Sequence, residues 1–74
     1  MMYYKVPQII PGNGYAWTYY ETDESGSVQR MLTYLSESDE ITNYPNPKIS
    51  TLFNPHKLMV VDELEFTDLW VRGE

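Results

Sequence analysis

The segment that most constrains this chain is Tyr15 to Thr22, a run of aromatics and threonine bracketed by turn-forming residues. Aromatic and β-branched side chains fit the pleated surface of a strand. Pro11-Gly12-Asn13-Gly14 precedes the run. Proline suits the second position of a turn, and the glycines reach positive φ without a Cβ penalty. This turn has neither the lysine and hydroxyl of a phosphate loop nor the spaced glycines of a dinucleotide fold, so it reads as a plain reversal. Asp23-Glu24-Ser25-Gly26 follows the run. Gly26 there suits the left-handed position of a type I turn with a bulge. In an extended segment Tyr15, Trp17 and Tyr19 share one face, and Ala16, Thr18 and Tyr20 the other.

The next segment carries two patterns at once. Val28, Met31, Leu32 and Leu35 recur with helical spacing, and Asp23, Ser25 or Ser27 would cap such a helix. An extended reading instead puts Val28, Arg30, Leu32 and Tyr34 on one face, with Gln29, Met31, Thr33 and Leu35 on the other. The aromatic strand and the turn after it favour the return strand of a hairpin from Ser27 to Leu35, with a helix over 27–36 as the alternative.

The two ends are read in the same way. Met1 to Val6 forms a short edge strand before Pro7, since proline tolerates sheet edges. Leu58-Met59-Val60-Val61 is the longest apolar run and predicts a buried strand. Leu64 to Val71 predicts a closing strand, with Leu64, Phe66 and Trp70 on one face and Asp68 interrupting it. A helix over 63–72 is the alternative. Asp62 and Glu65 have capping-box spacing, Phe66, Leu69 and Trp70 have helical spacing, and Gly73 would end it. Residues 36–57 are polar and proline-broken, and predict an irregular segment that wraps the core or joins an interface.

These readings make a single small domain over residues 1–74, mainly β. Its expected form is a small antiparallel twisted sheet or partial barrel, with α+β as the alternative. Trp17, Tyr19, Leu32, Leu58, Val60, Phe66 and Trp70 are the expected core. Without cysteine there is no disulfide to staple so short a chain, and its stability rests on packing or on a partner.

A formal charge of −6 argues against direct contact with nucleic acid, which needs concentrated positive charge. No run approaches the roughly 20 apolar residues that span a bilayer, and the N-terminus lacks the apolar core of a signal peptide. With the absence of cysteine, this points to a cytoplasmic location. The single histidine, His56, lies in a polar loop without a nucleophile or metal-ligand spacing beside it. The pairs Asp23-Glu24 and Asp39-Glu40 read as solvated turns. No catalytic, cofactor or metal residue is therefore expected.

The aromatics carry the functional expectation. Tyr15, Trp17, Tyr19, Tyr20, Tyr34, Tyr44 and Trp70 exceed what a tiny core readily buries. Exposed tyrosine and tryptophan favour recognition surfaces, because they desolvate well and lose little side-chain entropy. The chain thus reads as a small acidic protein-interaction or regulatory module, binding a protein partner or itself. Edge strands in need of cover make a homodimer the expected state. A structural subunit of a larger particle is the second reading, and a small hydrolytic enzyme the third.

Overall fold

The computed structural model describes residues 1–10, 14–45, 47 and 58–74; the side chains of residues 8–10, 14 and 15 lie outside the description. The chain is mainly β. Its strands are β1 (Met2–Ile10), β2 (Gly14–Thr22), β3 (Val28–Leu35), β4 (Glu40–Tyr44) and β5 (Met59–Val60), followed by the helix α1 (Glu63–Arg72). The strands form one open antiparallel sheet in the order β4-β3-β2-β1-β5.

The aromatic run folds as expected. β2 pairs with β1 from Met2↔Thr22 to Ile10↔Gly14, and with β3 from Ala16↔Leu35 to Thr22↔Val28. The β2–β3 connection is the bulged turn that Gly26 predicts. Gly26 has φ of 88°, its N–H donates to the Asp23 carbonyl at 3.1 Å, and the Asp23 N–H donates to the Ser27 carbonyl at 3.0 Å. Asp23 holds this turn from the side as well. Its Oδ1 accepts the backbone N–H groups of Ser25 and Ser27, both at 2.9 Å. Segment 28–35 is a strand because β2 offers it a complete ladder, which a helix there would leave unpaired.

Several boundaries differ from the sequence reading. β1 is longer than a six-residue edge strand and runs through Pro7. Beside it β5 pairs only at Tyr4↔Val60 and Lys5↔Met59. Pro7 thus falls on the stretch of β1 that β5 does not reach, where a missing N–H is tolerated. β4 arises inside the segment expected to be irregular, through the register Leu35↔Glu40 to Met31↔Tyr44. Most of the turn expected at Pro11-Gly12-Asn13-Gly14, most of the proline-broken stretch and His56 lie outside the described residues.

The C-terminal segment is a helix, which corrects the closing strand expected from Leu64 to Val71 and matches the alternative over 63–72. The reason is geometric. As a strand, Asp68 would interrupt the apolar face, whereas at helical spacing Phe66, Leu69 and Trp70 form one stripe and Asp68 turns to solvent. Asp62 is the N-cap with extended backbone, and its carbonyl accepts from Glu65 N and Phe66 N at 3.1 and 3.3 Å. Glu63 and Glu65 in the first turn and Arg72 in the last complement the helix dipole. Gly73 ends the helix.

The core lies between α1 and one face of the sheet. Tyr3, Tyr19, Leu32, Phe66 and Leu69 are buried there, with Trp17, Tyr34, Ile41, Val61 and Trp70 packed against them. The run at 58–61 departs from its expected burial. Leu58 and Val61 are half-buried, while Met59 and Val60 are exposed, Val60 at 70%. β5 is a short edge strand, so its neighbours cover it on one side only.

Candidate interaction surface

Strand alternation sorts the side chains of this sheet into two unlike layers. The layer under α1 holds Tyr3 and Lys5 from β1, Trp17, Tyr19 and Glu21 from β2, Arg30, Leu32 and Tyr34 from β3, and Ile41 and Asn43 from β4. It contains charge as well as apolar groups, and the charges clamp the helix. The Glu21 carboxylate accepts a bidentate pair from Arg30, Nε at 2.8 Å and Nη2 at 2.7 Å, and the Tyr3 hydroxyl at 3.1 Å. The Arg30 guanidinium lies 4.7 Å from the Trp70 ring centre and 5.3 Å from that of Phe66. A planar cation between a carboxylate and two rings is held on both sides.

A second clamp sits at the other end of the helix. Glu65 accepts the Tyr19 hydroxyl at 2.6 Å and Lys5 Nζ at 3.2 Å, and Lys5 lies 4.6 Å from the Trp17 ring. Glu65 therefore binds the sheet instead of turning back to the Asp62 N–H, as the capping-box spacing suggests. The hydrogen bonds from Arg30 and Tyr3 hold the Glu21 carboxyl below the usual range. Those from Tyr19 and Lys5 do the same for Glu65. Burial and the neighbouring carboxylate push the Tyr19 phenol upward. Arg72 closes the helix end on Asp39 at 2.7 Å, and Asn43 Nδ2 donates to the Trp70 carbonyl at 2.8 Å.

The opposite face carries almost no charge. β1 contributes Met2, Tyr4 and Val6; β2 contributes Thr18, Tyr20 and Thr22. β3 adds Met31, Thr33 and Leu35, β4 adds Glu40, Thr42 and Tyr44, and β5 adds Val60. Among the described strand residues, Lys5, Glu21 and Arg30 all fall on the helix side, and Glu40 alone falls on the other. No described element lies over this second face. Met2, Tyr44 and Val60 are exposed on it, Tyr4, Val6, Tyr20, Met31 and Leu35 are half-buried, and Ala16, Thr22 and Val28 are buried.

The expected aromatic site divides between these layers. Trp17, Tyr19, Tyr34 and Trp70 belong to the helix side, where Tyr19 is buried and the others are half-buried. Tyr20 and Tyr44 stand on the open face. The Tyr15 side chain lies outside the described residues. The aromatics do not form one platform, and the open face contains residues that the aromatic count passed over: Met2, Tyr4, Met31, Leu35 and Val60. Their signal in the sequence was the absence of charge at alternate positions through successive strands.

One aspartate of each acidic pair has a structural partner. Asp23 binds its own turn, and Asp39, at the left-handed φ of 59°, pairs with Arg72. Among the described residues no cluster of His, Cys, Asp and Glu has the arrangement of a metal site, and no helix is long and apolar enough to cross a membrane. No protein-family model matches the chain, and no curated protein or solved structure does.

Proposed function

We propose that this chain is a small acidic protein-interaction module that docks through the weakly charged face of its sheet turned away from α1, onto a protein partner or a second copy. The observation that carries the reading is the inverted distribution of strand charge. A two-layer α/β unit ordinarily turns its charged strand residues to water and its uncharged ones to the helix. Here Lys5, Glu21 and Arg30 are under α1, and the face without a helix is built from Met, Tyr, Val, Leu and Thr. Apolar area grouped in one patch on a small domain marks a docking surface. The described bases are all engaged internally, Lys5 with Glu65, Arg30 with Glu21 and Arg72 with Asp39. The remaining acidic surface keeps the module soluble and turns it away from nucleic acid phosphate. A cysteine-free chain also needs no oxidising compartment, which favours the cytoplasm as its location.

Affinity capture from native cell extract tests this reading with paired baits. Thr33 occupies the middle of the open face, between Thr18 and Thr42. The expected result is a protein retained by the wild-type chain, lost by Thr33→Lys and kept by Leu64→Lys on the outer side of α1. Identical recovery by wild type and Thr33→Lys would refute docking through this face.

A further inference from the structure

We infer that the outer edge of β4 binds an extended, basic segment of another protein, which joins the five-stranded sheet as a further strand. This edge is separate from the face proposed above. Backbone direction identifies it. The Val61 N–H donates to the Tyr3 carbonyl at 2.9 Å, so Tyr3 turns its backbone groups toward β5. Successive residues of a strand alternate in this respect, and opposed residues of an antiparallel pair exchange both bonds at every second position. Tyr4 therefore bonds Tyr20, Tyr19 bonds Leu32, and Met31 and Thr33 bond Tyr44 and Thr42. Ile41 and Asn43 are left with N–H and C=O turned away from the sheet. Among the described residues no strand lies beyond them. Together they offer a newcomer two rungs of a ladder, about 6.8 Å apart.

The two edges of the sheet are built differently. An unpaired edge invites another chain, and proteins blunt it with proline, lysine or a very short strand. The β1 side has two of these devices. β5 covers Tyr4 and Lys5 and is itself only two residues long. Beyond it Pro7 shares the outward parity of Tyr3 and Lys5, so the donor it lacks is one that would face a newcomer. β4 has neither proline nor lysine in Glu40-Ile41-Thr42-Asn43-Tyr44, and it pairs with β3 along its whole length. Glu40, Thr42 and Tyr44 are exposed, so solvent reaches this strand on the side away from α1. The helix steadies it from the other side. Asn43 Nδ2 donates to the Trp70 carbonyl, and Gly73 lies against the Ile41 and Asn43 side chains. A strand already fixed on both counts loses little freedom when a partner pairs with it.

Charge selects the occupant. Glu37 and Glu40 are exposed at the start of β4, and Glu74 is exposed beyond Gly73 at its other end. Arg72, the base beside this edge, is already held by Asp39 and Asp68. A second β4 arriving antiparallel would bring the Glu40 end of each copy to the Glu74 end of the other, and like charges across paired strands are destabilising. A segment with lysine or arginine at both ends and uncharged residues between them meets acid at both ends instead. Its backbone supplies the pairing and its flanking charges the choice, which is the division of labour in strand addition.

The probe is a short capped peptide with the core Val-Thr-Val-Thr-Val and two lysines at each end. Titrated into the isotope-labelled full chain and followed by amide NMR, it should saturate with a dissociation constant below about 1 mM. The largest shifts should fall at the Ile41 and Asn43 amides, which should also gain protection from hydrogen exchange. Binding should weaken as salt rises from about 0.01 M to about 1 M and the Debye length falls from about 30 Å to about 3 Å. Glu40→Lys, at an exposed position, should weaken it roughly threefold to tenfold at low salt. The same peptide with every core amide N-methylated keeps its charge and should not bind. Equal binding by the methylated peptide would overturn the inference, because charge alone would then account for it. No saturation up to about 1 mM, or shifts centred away from β4, would overturn it too. A mass of twice 8.7 kDa in sedimentation equilibrium without peptide, with Ile41 and Asn43 protected, would replace the foreign segment by a second copy. The paired-bait capture reports separately on the face.

Discussion

Truncation of Phe66 probes the joint between helix and sheet. Its side chain is fully buried. The Tyr3 ring centre lies 5.3 Å away at a tilt of 46°, and the Trp70 ring is stacked at 5.9 Å. Phe66→Ala removes these contacts and opens a cavity where Arg30 also rests, at a cost of about 3–5 kcal/mol. A domain of this length is stable by roughly 4–11 kcal/mol in total, so the substitution takes a quarter or more of that margin. The loss falls on α1 first, since a helix of ten residues has little stability apart from its packing. At about 4–8 °C per kcal/mol for a domain of this size, the melting temperature should fall by at least ~12 °C. Thermal and urea denaturation followed by circular dichroism measures it. Leu64→Ala, at a position 80% exposed, should stay within about 0.5 kcal/mol of wild type. A Phe66→Ala melting temperature within a few degrees of wild type would refute the argument that this ring anchors the helix.

Two further outcomes follow from the clamps and the helix end. At Gly73 an added Cβ would come 2.6 Å from Ile41 Cγ2 and 2.7 Å from Asn43 Oδ1, so Gly73→Ala should cost about 1–3 kcal/mol in urea denaturation by pushing the helix end off β4; an unchanged midpoint would show that this contact is loose. The Glu21 and Glu65 carboxyls are held low in the folded chain. Their contribution is thus present above the unfolded carboxylate value of about 4.3 and is lost as pH falls from there through the folded values. The urea midpoint should drop over that acid range. Glu21→Gln should cost about 1–3 kcal/mol at neutral pH and flatten the drop. A variant with the wild-type acid slope would remove Glu21 as its cause.

The hairpin was legible in the sequence because its determinants are local. The Asp23–Gly26 turn, the alternation around Trp17 and the bulge at Gly26 depend on residues within a few positions of one another. The helix was legible only as an alternative. Its spacing at Phe66, Leu69 and Trp70 was visible, but Leu64, Phe66 and Trp70 also share a strand face, and periodicity over so few residues does not decide between them. The expected core was right for Tyr19, Leu32 and Phe66, half-right for Trp17, Leu58 and Trp70, and wrong for Val60. Apolar character alone does not reveal that β5 lies at an edge.

Local residue pattern was enough to make this chain mainly β, turning at Asp23–Gly26 and alternating along the aromatic strand. Composition was enough to deny the fold a disulfide. Which parity of each strand the helix would cover was settled only when the elements packed. That choice put Lys5, Glu21 and Arg30 inside and left Tyr20, Met31 and Tyr44 on the open face. An alternating strand offers two faces, and its own residues do not say which one a distant element will meet. Here Glu65 and the Phe66 and Trp70 rings, reaching from the far end of the chain, gave the buried charges their partners. The same contacts left the face whose one described strand charge is Glu40 for the partner we propose.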